Sequence, residues 1–149
     1  MSEISLGIAS DHGGFEVKEA IYSALAESYP DDNIRNLGVH NTDSVDYPSV
    51  AKELVDAIMN EDVQRGILVC GTGIGMSIAA NRNPGIRAAL IHDDHTAEMA
   101  KAHNNANILC MAGRNASIED ALRWIQIWLD TPYEGGRHDR RLEALDQLV

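Results

Sequence analysis

Two kinds of apolar pattern alternate along the chain. Short runs of consecutive apolar residues, typical of buried strands, are separated by segments in which apolar residues recur every three or four positions, as on one face of a helix. The runs predict five strands, at residues 5–9, 33–37, 66–69, 87–91 and 107–112. The other segments predict six helices. The first four lie over 17–28, after Tyr47-Pro48, from about Gly75 and over 96–102. The fifth begins at an N-cap, Ser117, with Asp120 as its capping-box partner, and a short last helix carries Leu142, Leu145 and Val149.

Strands that alternate with helices form βαβ units, which produce a parallel sheet with helices on both faces. Right-handed crossovers restrict the topology, and we predict a three-layer, Rossmann-like α/β fold with five strands in the order 2-1-3-4-5. The chain has 149 residues and shows no internal repeat or linker. Residues 1–149 are therefore predicted to form a single domain.

Polar residues directly follow four of the predicted strands. They are Asp11-His12 after the first strand, Cys70 to Thr72 after the third, Asp93-Asp94 after the fourth and Arg114 after the fifth. Because parallel strands all end at the same edge of a sheet, the sequence predicts one cleft at this edge.

Composition and charge narrow the class of protein. The net charge of −11 argues against nucleic acid or an anionic membrane as a partner, because both require a basic surface. No apolar run is long enough to span a bilayer, and the first residues lack the pattern of a signal peptide. The two cysteines lie inside apolar runs, which indicates reduced thiols and predicts a cytoplasmic protein.

The segment after Cys70 carries the strongest chemical signal. A buried strand ends at Cys70 and leads through Gly71-Thr72-Gly73-Ile74-Gly75 into a helix. Backbone N–H groups at such a helix start bind anions, and the helix dipole favours a thiolate over a thiol. The alternative interpretation is a tight turn in which Thr72 only satisfies backbone groups. Cys110 and Met76 are predicted to be packing residues.

Arginine and histidine residues supply further candidates. Arg137 and Arg141 are four residues apart, so both face one side of a helix and could bind one phosphate. The alternative is a solvated helix face on which they pair with Asp139 or Glu143. His103 is either a polar helix end or a group for proton transfer. The sequence contains no motif with metal-ligand spacing, and no metal is predicted.

At this point the chain resembles the type B ribose-5-phosphate isomerases, in the wider family that includes galactose-6-phosphate and allose-6-phosphate isomerases. The matching motifs run in family order over nearly the whole chain. They are Ser10-Asp11-His12-Gly13-Gly14-Phe15, Asp46-Tyr47-Pro48, Cys70-Gly71-Thr72-Gly73-Ile74-Gly75, Ala79-Ala80-Asn81, Pro84-Gly85-Ile86-Arg87-Ala88, His103-Asn104, Gly113-Arg114 and Tyr133-Glu134-Gly135-Gly136-Arg137-His138.

The resemblance implies an aldose–ketose isomerase that needs no cofactor. It implies that Cys70 is the base that moves a proton between C1 and C2, and that His103 opens the sugar ring. Thr72 and the amides of Gly71, Gly73, Ile74 and Gly75 would hold the enediolate. Contacts to the substrate would come from Asp11, His12 and Asn104 at the sugar, from Tyr47 over the cleft, and from Arg114, Arg137 and Arg141 at the phosphate.

The resemblance also implies a homodimer or a dimer of dimers whose active sites are shared between chains. The last helix, at about 137–149, would then pack on a partner subunit and act on the partner's substrate. The ligand would be a small sugar phosphate.

Alternatives remain at this stage. The sequence does not decide between a pentose phosphate and a hexose phosphate as the substrate. A dinucleotide-binding domain fits less well, since the third glycine comes one position early and the loop follows the third strand. A non-catalytic sugar-phosphate sensor would keep the arginines and would not need the thiolate.

Overall fold

The computed structural model describes residues 3–148 and confirms the predicted alternation. The strands are β1 Ser5–Ser10, β2 Asn33–Asn36, β3 Arg65–Cys70, β4 Ala88–Leu90 and β5 Ile108–Ala112. The helices are α1 Phe15–Ser28, α2 Tyr47–Met59, α3 Ile74–Asn81, α4 Asp94–Ala102, α5 Ile118–Asp130 and α6 Arg137–Asp146, with a 3₁₀ turn at His12–Gly14 before α1. Val149, which was predicted in the last helix, lies outside the described residues.

The five strands form one parallel sheet, as predicted, in the order β2-β1-β3-β5-β4. The last two strands are therefore exchanged relative to the predicted order. The physical reason is burial: β5 has four consecutive buried residues, Ile108–Met111, which suits a central strand covered on both faces. The three residues of β4 are only partly buried or exposed, with Leu90 39% exposed, so β4 takes the edge.

Helices cover both faces of the sheet and create two cores. On one face, α1 and α5 contribute Ile21, Ile125 and Trp128, which pack against the central strands of the sheet. On the other face, α2 and α3 contribute Leu54 and Met76. Side chains alternate along β3, so Ile67 and Val69 belong to the first core, whereas Leu68 and Cys70 belong to the second. Cys70 therefore points to the face that α2 and α3 cover.

The predicted N-cap of α5 is confirmed, but its capping box is incomplete. Ser117 accepts a hydrogen bond from the backbone N–H of Asp120 at 3.2 Å. The carboxylate of Asp120 does not return to Ser117, because it accepts a hydrogen bond from Arg123 at 2.9 Å. One of the two reciprocal bonds is thus replaced by an ion pair within the helix.

The last helix, α6, packs beside the end of α4. His138 and Leu142 are buried on its inner face, and Asp146 near its end pairs with Arg87 at 3.1 Å. Arg137 and Arg141 lie on its exposed side. Within residues 3–148, no helix has both the length and the apolar character required to cross a bilayer.

Candidate active site

Cys70 is the last residue of β3, and its side chain lies at the start of α3. The residue is 5% exposed, and its Sγ accepts a hydrogen bond from the backbone N–H of Gly73 at 3.1 Å. Gly73 is the N-cap of α3, where unpaired N–H groups and the helix dipole attract negative charge. The local backbone is therefore arranged to stabilise a negative charge on this sulfur.

The turn after Cys70 requires glycine at two positions. Gly73 has a φ of +82°, in the left-handed region, and a Cβ there would lie 2.9 Å from the backbone of Met111. A Cβ at Gly75 would lie 2.7 Å from the ring of Tyr47. The loop is thus packed between β5 and Tyr47, and the tyrosine ring lies directly against it.

Thr72 lies at the exposed tip of this loop. Its Oγ1 accepts a hydrogen bond from the backbone N–H of Ile74 at 3.2 Å, which is the turn function that the alternative interpretation predicts. That bond uses a lone pair of the oxygen, so the hydroxyl hydrogen can still be donated to a ligand. Turn formation and ligand binding by Thr72 are therefore compatible.

Asp11 and His12 are fixed just after β1 by backbone hydrogen bonds. One carboxylate oxygen of Asp11 accepts hydrogen bonds from the N–H groups of Gly13 at 2.9 Å and Gly14 at 3.2 Å. The Nδ1 atom of His12 accepts a hydrogen bond from the N–H of Val45 at 3.1 Å. Neutral His12 therefore carries its proton on Nε2, which makes Nε2 a hydrogen-bond donor.

Arg114 brings a positive charge to the same place. Its backbone N–H donates to the carbonyl of Gly71 at 3.2 Å, and a Cβ at Gly71 would lie 3.4 Å from the guanidinium carbon. A Cβ at Gly13 would likewise lie 3.4 Å from the backbone nitrogen of Gly71. The loops after β1, β3 and β5 thus meet, and they bring together the carboxyl-edge cluster, which consists of Asp11, His12, Tyr47, Cys70, Gly71, Thr72, Gly73, Ile74, Gly75 and Arg114.

Asp93 and Asp94, which were also predicted at this edge, have structural partners instead. Asp93 accepts a hydrogen bond from the N–H of Thr96 at 2.7 Å, and Thr96 completes a capping box at the start of α4. Asp94 accepts hydrogen bonds from Arg123 at 2.9 Å and from the Trp124 indole at 3.0 Å. They follow the edge strand β4, and β5 separates that strand from β3.

The remaining predicted residues form a second group at the end of α4, which we term the turn cluster: His103, Asn104, Glu134, Arg137, His138 and Arg141. The rings of His103 and His138 stack with centroids 4.3 Å apart and an angle of 22°. Both Nε2 atoms face Glu134, at 3.7 Å from His103 and 3.6 Å from His138. Burial, and then the positive charge of Arg137, lowers the pKa of His138.

Arg137 and Arg141 are exposed on α6. Among residues 3–148, neither forms an ion pair with Asp139 or Glu143. Asp139 instead accepts a hydrogen bond from the hydroxyl of Tyr133 at 2.7 Å. Both guanidinium groups are therefore available to an anion, as they would have to be in order to bind a phosphate.

His103, Glu134 and His138 are also the one group in the described part of the chain with the donor types and spacing of a metal site, with ligand atoms within 4.8 Å of one another. The expectation that the protein needs no metal stays a prediction.

The two clusters lie at opposite edges of the sheet. Cys70 is level with Ala112 at the carboxyl end of β5, whereas His103 precedes the amino end of β5. The strand rises about 3.3 Å per residue, so its length alone separates the two edges by about 13 Å. Within one chain, the fold does not bring His103, Asn104, Arg137 and Arg141 to Cys70.

Comparison with known proteins shows what this chain is similar to. Residues 6–145 match the family described as Ribose/Galactose Isomerase. Ribose-5-phosphate isomerase B of Escherichia coli is 37% identical over 148 residues, covering 99% of this chain and 97% of that protein. The chain belongs to the ribose/galactose isomerase family. It is therefore an isomerase, as the motifs predict.

Solved structures of family members have the same fold. A ribose 5-phosphate isomerase from Thermotoga maritima superposes with a TM-score of 0.94 at 44% identity, covering 99% of this chain and all of that chain. Ribose-5-phosphate isomerase B from Mycoplasma genitalium, solved with bound ribulose-5-phosphate, gives a TM-score of 0.90 at 36% identity, covering 99% of this chain and 97% of that chain.

Three residues contact the candidate site although the sequence pattern assigned them no role. His138 and Glu134 contact His103 from α6 and from the segment before it. Arg87 donates to the carbonyl of Asn104 at 3.0 Å and pairs with Asp146, so it ties the turn after α4 to α6. The position of His138 could have been predicted, because it lies four residues before the apolar Leu142 and shares the buried face of the helix.

Lys18 is a fourth such residue, on the other side of the molecule. It is fully buried, and its Nζ donates to the carbonyls of Leu37 and Val39. These carbonyls lie at the start of the loop that leads to Val45, whose backbone N–H donates to His12. The signal was a lysine three residues before Ile21, on the apolar stripe of α1.

Proposed function

We propose that this protein interconverts ribose 5-phosphate and ribulose 5-phosphate, with Cys70 as the base. The observation that carries the proposal is the hydrogen bond from the Gly73 N–H to Cys70 Sγ at the start of α3. This bond supports the proposal, because a sulfur that accepts from a backbone N–H next to further loop N–H groups is suited to carry negative charge. The names of the relatives support the same substrate, since all three that are described above are ribose-5-phosphate isomerases.

The chemistry is a proton transfer next to a carbonyl. In the open-chain aldose, the Cys70 thiolate removes the proton from C2, the electrons of that bond form the C1–C2 double bond, and the C1 carbonyl oxygen becomes an oxyanion. Thr72 and the loop N–H groups would stabilise this enediolate, and one such donor is worth about 2.7–4 kcal/mol. The thiol then returns the proton to C1, while the proton of the C2 hydroxyl passes to the C1 oxyanion, so that C2 becomes the ketose carbonyl and C1 carries a hydroxyl group.

Ring opening is assigned to His103 and phosphate binding to Arg114, Arg137 and Arg141. Arg114 lies beside Cys70 in the same chain, whereas His103, Arg137 and Arg141 lie at the far edge of their own sheet, so these three would act on the substrate of a second chain. Each active site would then combine the carboxyl-edge cluster of one protomer with the turn cluster of its partner. Exposed apolar residues beside the loop, Ile74 at 51% and Ile78 at 53%, are suited to burial in such an interface.

A hexose 6-phosphate is the second candidate substrate, because the family description includes galactose isomerase. Purified protein should be assayed with ribose 5-phosphate, allose 6-phosphate and galactose 6-phosphate under one set of conditions. We expect the highest kcat/KM with ribose 5-phosphate. A higher value with either hexose phosphate would replace the proposed substrate, and no turnover with any of the three would remove the proposed activity.

No step in this mechanism requires a metal or a cofactor, because the base, the oxyanion donors and the phosphate ligands are all protein groups. Dialysis against a chelator should therefore leave kcat unchanged.

A further inference from the structure

A basic pocket lies at the amino edge of the sheet, between the start of β3 and the end of α4. It has a volume of about 380 Å³ and is lined by Arg65, Arg87 and Lys101 together with amide and apolar side chains. None of its lining residues is acidic, although the chain carries a net charge of −11. Neither Cys70 nor any other member of the carboxyl-edge cluster lines it. We name this cavity the amino-edge pocket.

Two of the three cations have no counter-charge among the residues that the structure describes. Arg87 pairs with Asp146 at 3.1 Å and donates to the carbonyls of Asn104 and Asn105. Among the described residues, 3–148, no carboxylate lies within ion-pair distance of Arg65 or Lys101. The pocket therefore has an excess of two positive charges.

The positions of these two cations are defined by packing. The Arg65 guanidinium lies over the ring of the fully buried Trp128, with its carbon 5.0 Å from the ring centroid. Lys101 Nζ donates to the side-chain oxygen of Asn105 at 2.7 Å. Burial, and then the charges of Arg65 and Arg87, lowers the pKa of Lys101. An anion in the pocket would relieve the repulsion between the charges of Lys101, Arg65 and Arg87.

We propose that the amino-edge pocket binds a phosphate group through Arg65 and Lys101, with Arg87 adding positive charge behind them. A planar guanidinium beside an ammonium suits the several oxygens of a phosphate, and charge-assisted hydrogen bonds of this kind are strong. The volume of the pocket is large enough for a phosphate group that carries a small organic substituent. The ligand is therefore inorganic phosphate or a small phosphate monoester. This site is separate from the phosphate site assigned to Arg114, Arg137 and Arg141.

The two tryptophans provide a direct readout. The Trp128 indole N–H donates to the carbonyl of Ala106, which lines the pocket, at 3.1 Å. The Trp124 indole N–H donates to Asp94 at 3.0 Å, away from the pocket. The full chain labelled with ¹⁵N is titrated with inorganic phosphate and, separately, with glycerol 3-phosphate at constant ionic strength. We expect a saturable shift of the Trp128 indole signal while the Trp124 signal stays in place.

Variants identify the ligands. Lys101→Gln leaves the stacking of Arg65 on Trp128 intact and should weaken binding about tenfold, as should Arg65→Gln. Lys52→Gln removes the same charge from an exposed site on α2 and should change nothing. Arg114→Gln should also leave the Trp128 titration unchanged, which separates the pocket from the proposed substrate site whether or not the protein proves to be a ribose-5-phosphate isomerase.

A saturable response to inorganic phosphate alone would identify the free anion as the ligand, whereas tighter binding of glycerol 3-phosphate would identify monoesters. The proposal is overturned if sodium chloride of equal ionic strength reproduces the shift, if no saturation occurs, or if Lys101→Gln and Arg65→Gln both bind phosphate as tightly as the unmodified chain.

Discussion

The carboxyl-edge cluster and the turn cluster hold their functional groups by different means. In the first, backbone hydrogen bonds and glycine contacts fix nearly every group: Cys70 Sγ, Asp11 and His12 each accept from a backbone N–H. In the second, side chains contact other side chains, as in the stack of His103 on His138, and Arg137 and Arg141 extend into solvent. The groups of the first cluster are thus held by their own chain. In the second cluster, the exposed guanidinium groups of Arg137 and Arg141 are available to an anion.

This difference fits the proposed active site, in which one protomer supplies the groups for proton transfer and its partner supplies groups that bind phosphate. Proton transfer at carbon depends on sub-ångström placement of a base and oxyanion donors, which a rigid strand-to-helix turn provides. Capture of a phosphate by long arginine side chains tolerates more movement. It can therefore be contributed by the surface of a second protomer.

The largest effect should come from Cys70→Ala. Loss of the proposed base should lower kcat by about 10³-fold or more, while KM for ribose 5-phosphate changes little, because the arginines that are proposed to bind phosphate remain. Steady-state kinetics give both constants. The matched control is Cys110→Ala, since Cys110 is fully buried in the core two positions before Ala112 and lies outside the carboxyl-edge cluster. A Cys70→Ala enzyme with near-normal kcat would remove Cys70 as the base.

The second prediction tests the interface directly. If each site takes Cys70 from one protomer and His103 from the other, a mixture of Cys70→Ala and His103→Ala chains contains heterodimers with one intact site. Random re-association of equal amounts should restore about a quarter of the wild-type activity, since half of the dimers are mixed and each has one working site of two.

The measurement is the activity of the two inactive variants before and after they are unfolded and refolded together. Refolding of each variant alone is the control and should stay inactive. Activity that stays at the background level in the co-refolded sample would contradict a shared site.

The fold and the carboxyl-edge cluster were largely predictable, because both follow from local patterns. An apolar run that ends in Cys70-Gly71-Thr72-Gly73 determines strand, turn and helix almost without reference to the rest of the chain. The exchange of β4 and β5 was not predictable in this way, since it depends on which run is buried on both faces. The role of His103 was left open for a related reason: the helix before it carries the chain back to the opposite edge of the sheet from Cys70, and strand positions alone do not show what His103 contacts there.

The third prediction concerns what holds His12 in place. Lys18→Met removes an ammonium that is fully buried and leaves the carbonyls of Leu37 and Val39 without their donor. The free energy of unfolding should fall by about 3 kcal/mol, and KM should rise because the loop that carries Val45 loosens. Lys52→Met, at an exposed pair with Asp56, should cost less than about 1 kcal/mol. Urea unfolding and kinetics of both variants measure the contrast, and equal costs would contradict a role for Lys18.

The smallest effect is a pH dependence in the turn cluster. Burial lowers the pKa of His138 from its usual 6.5, so as the pH falls below about 6.5 the unfolded chain takes up this proton before the folded one does. Folding stability is therefore lost as the pH falls from 6.5 towards the lowered pKa, and it is regained as the pH rises. In His138→Gln this contribution is absent.

Urea unfolding of both proteins at pH 7.5 and pH 5.5 should show a smaller loss of stability on acidification in the variant. The same loss in both would mean that His138 binds its proton equally well in the folded and unfolded chains, and that its burial in the turn cluster contributes nothing to the pH dependence of stability.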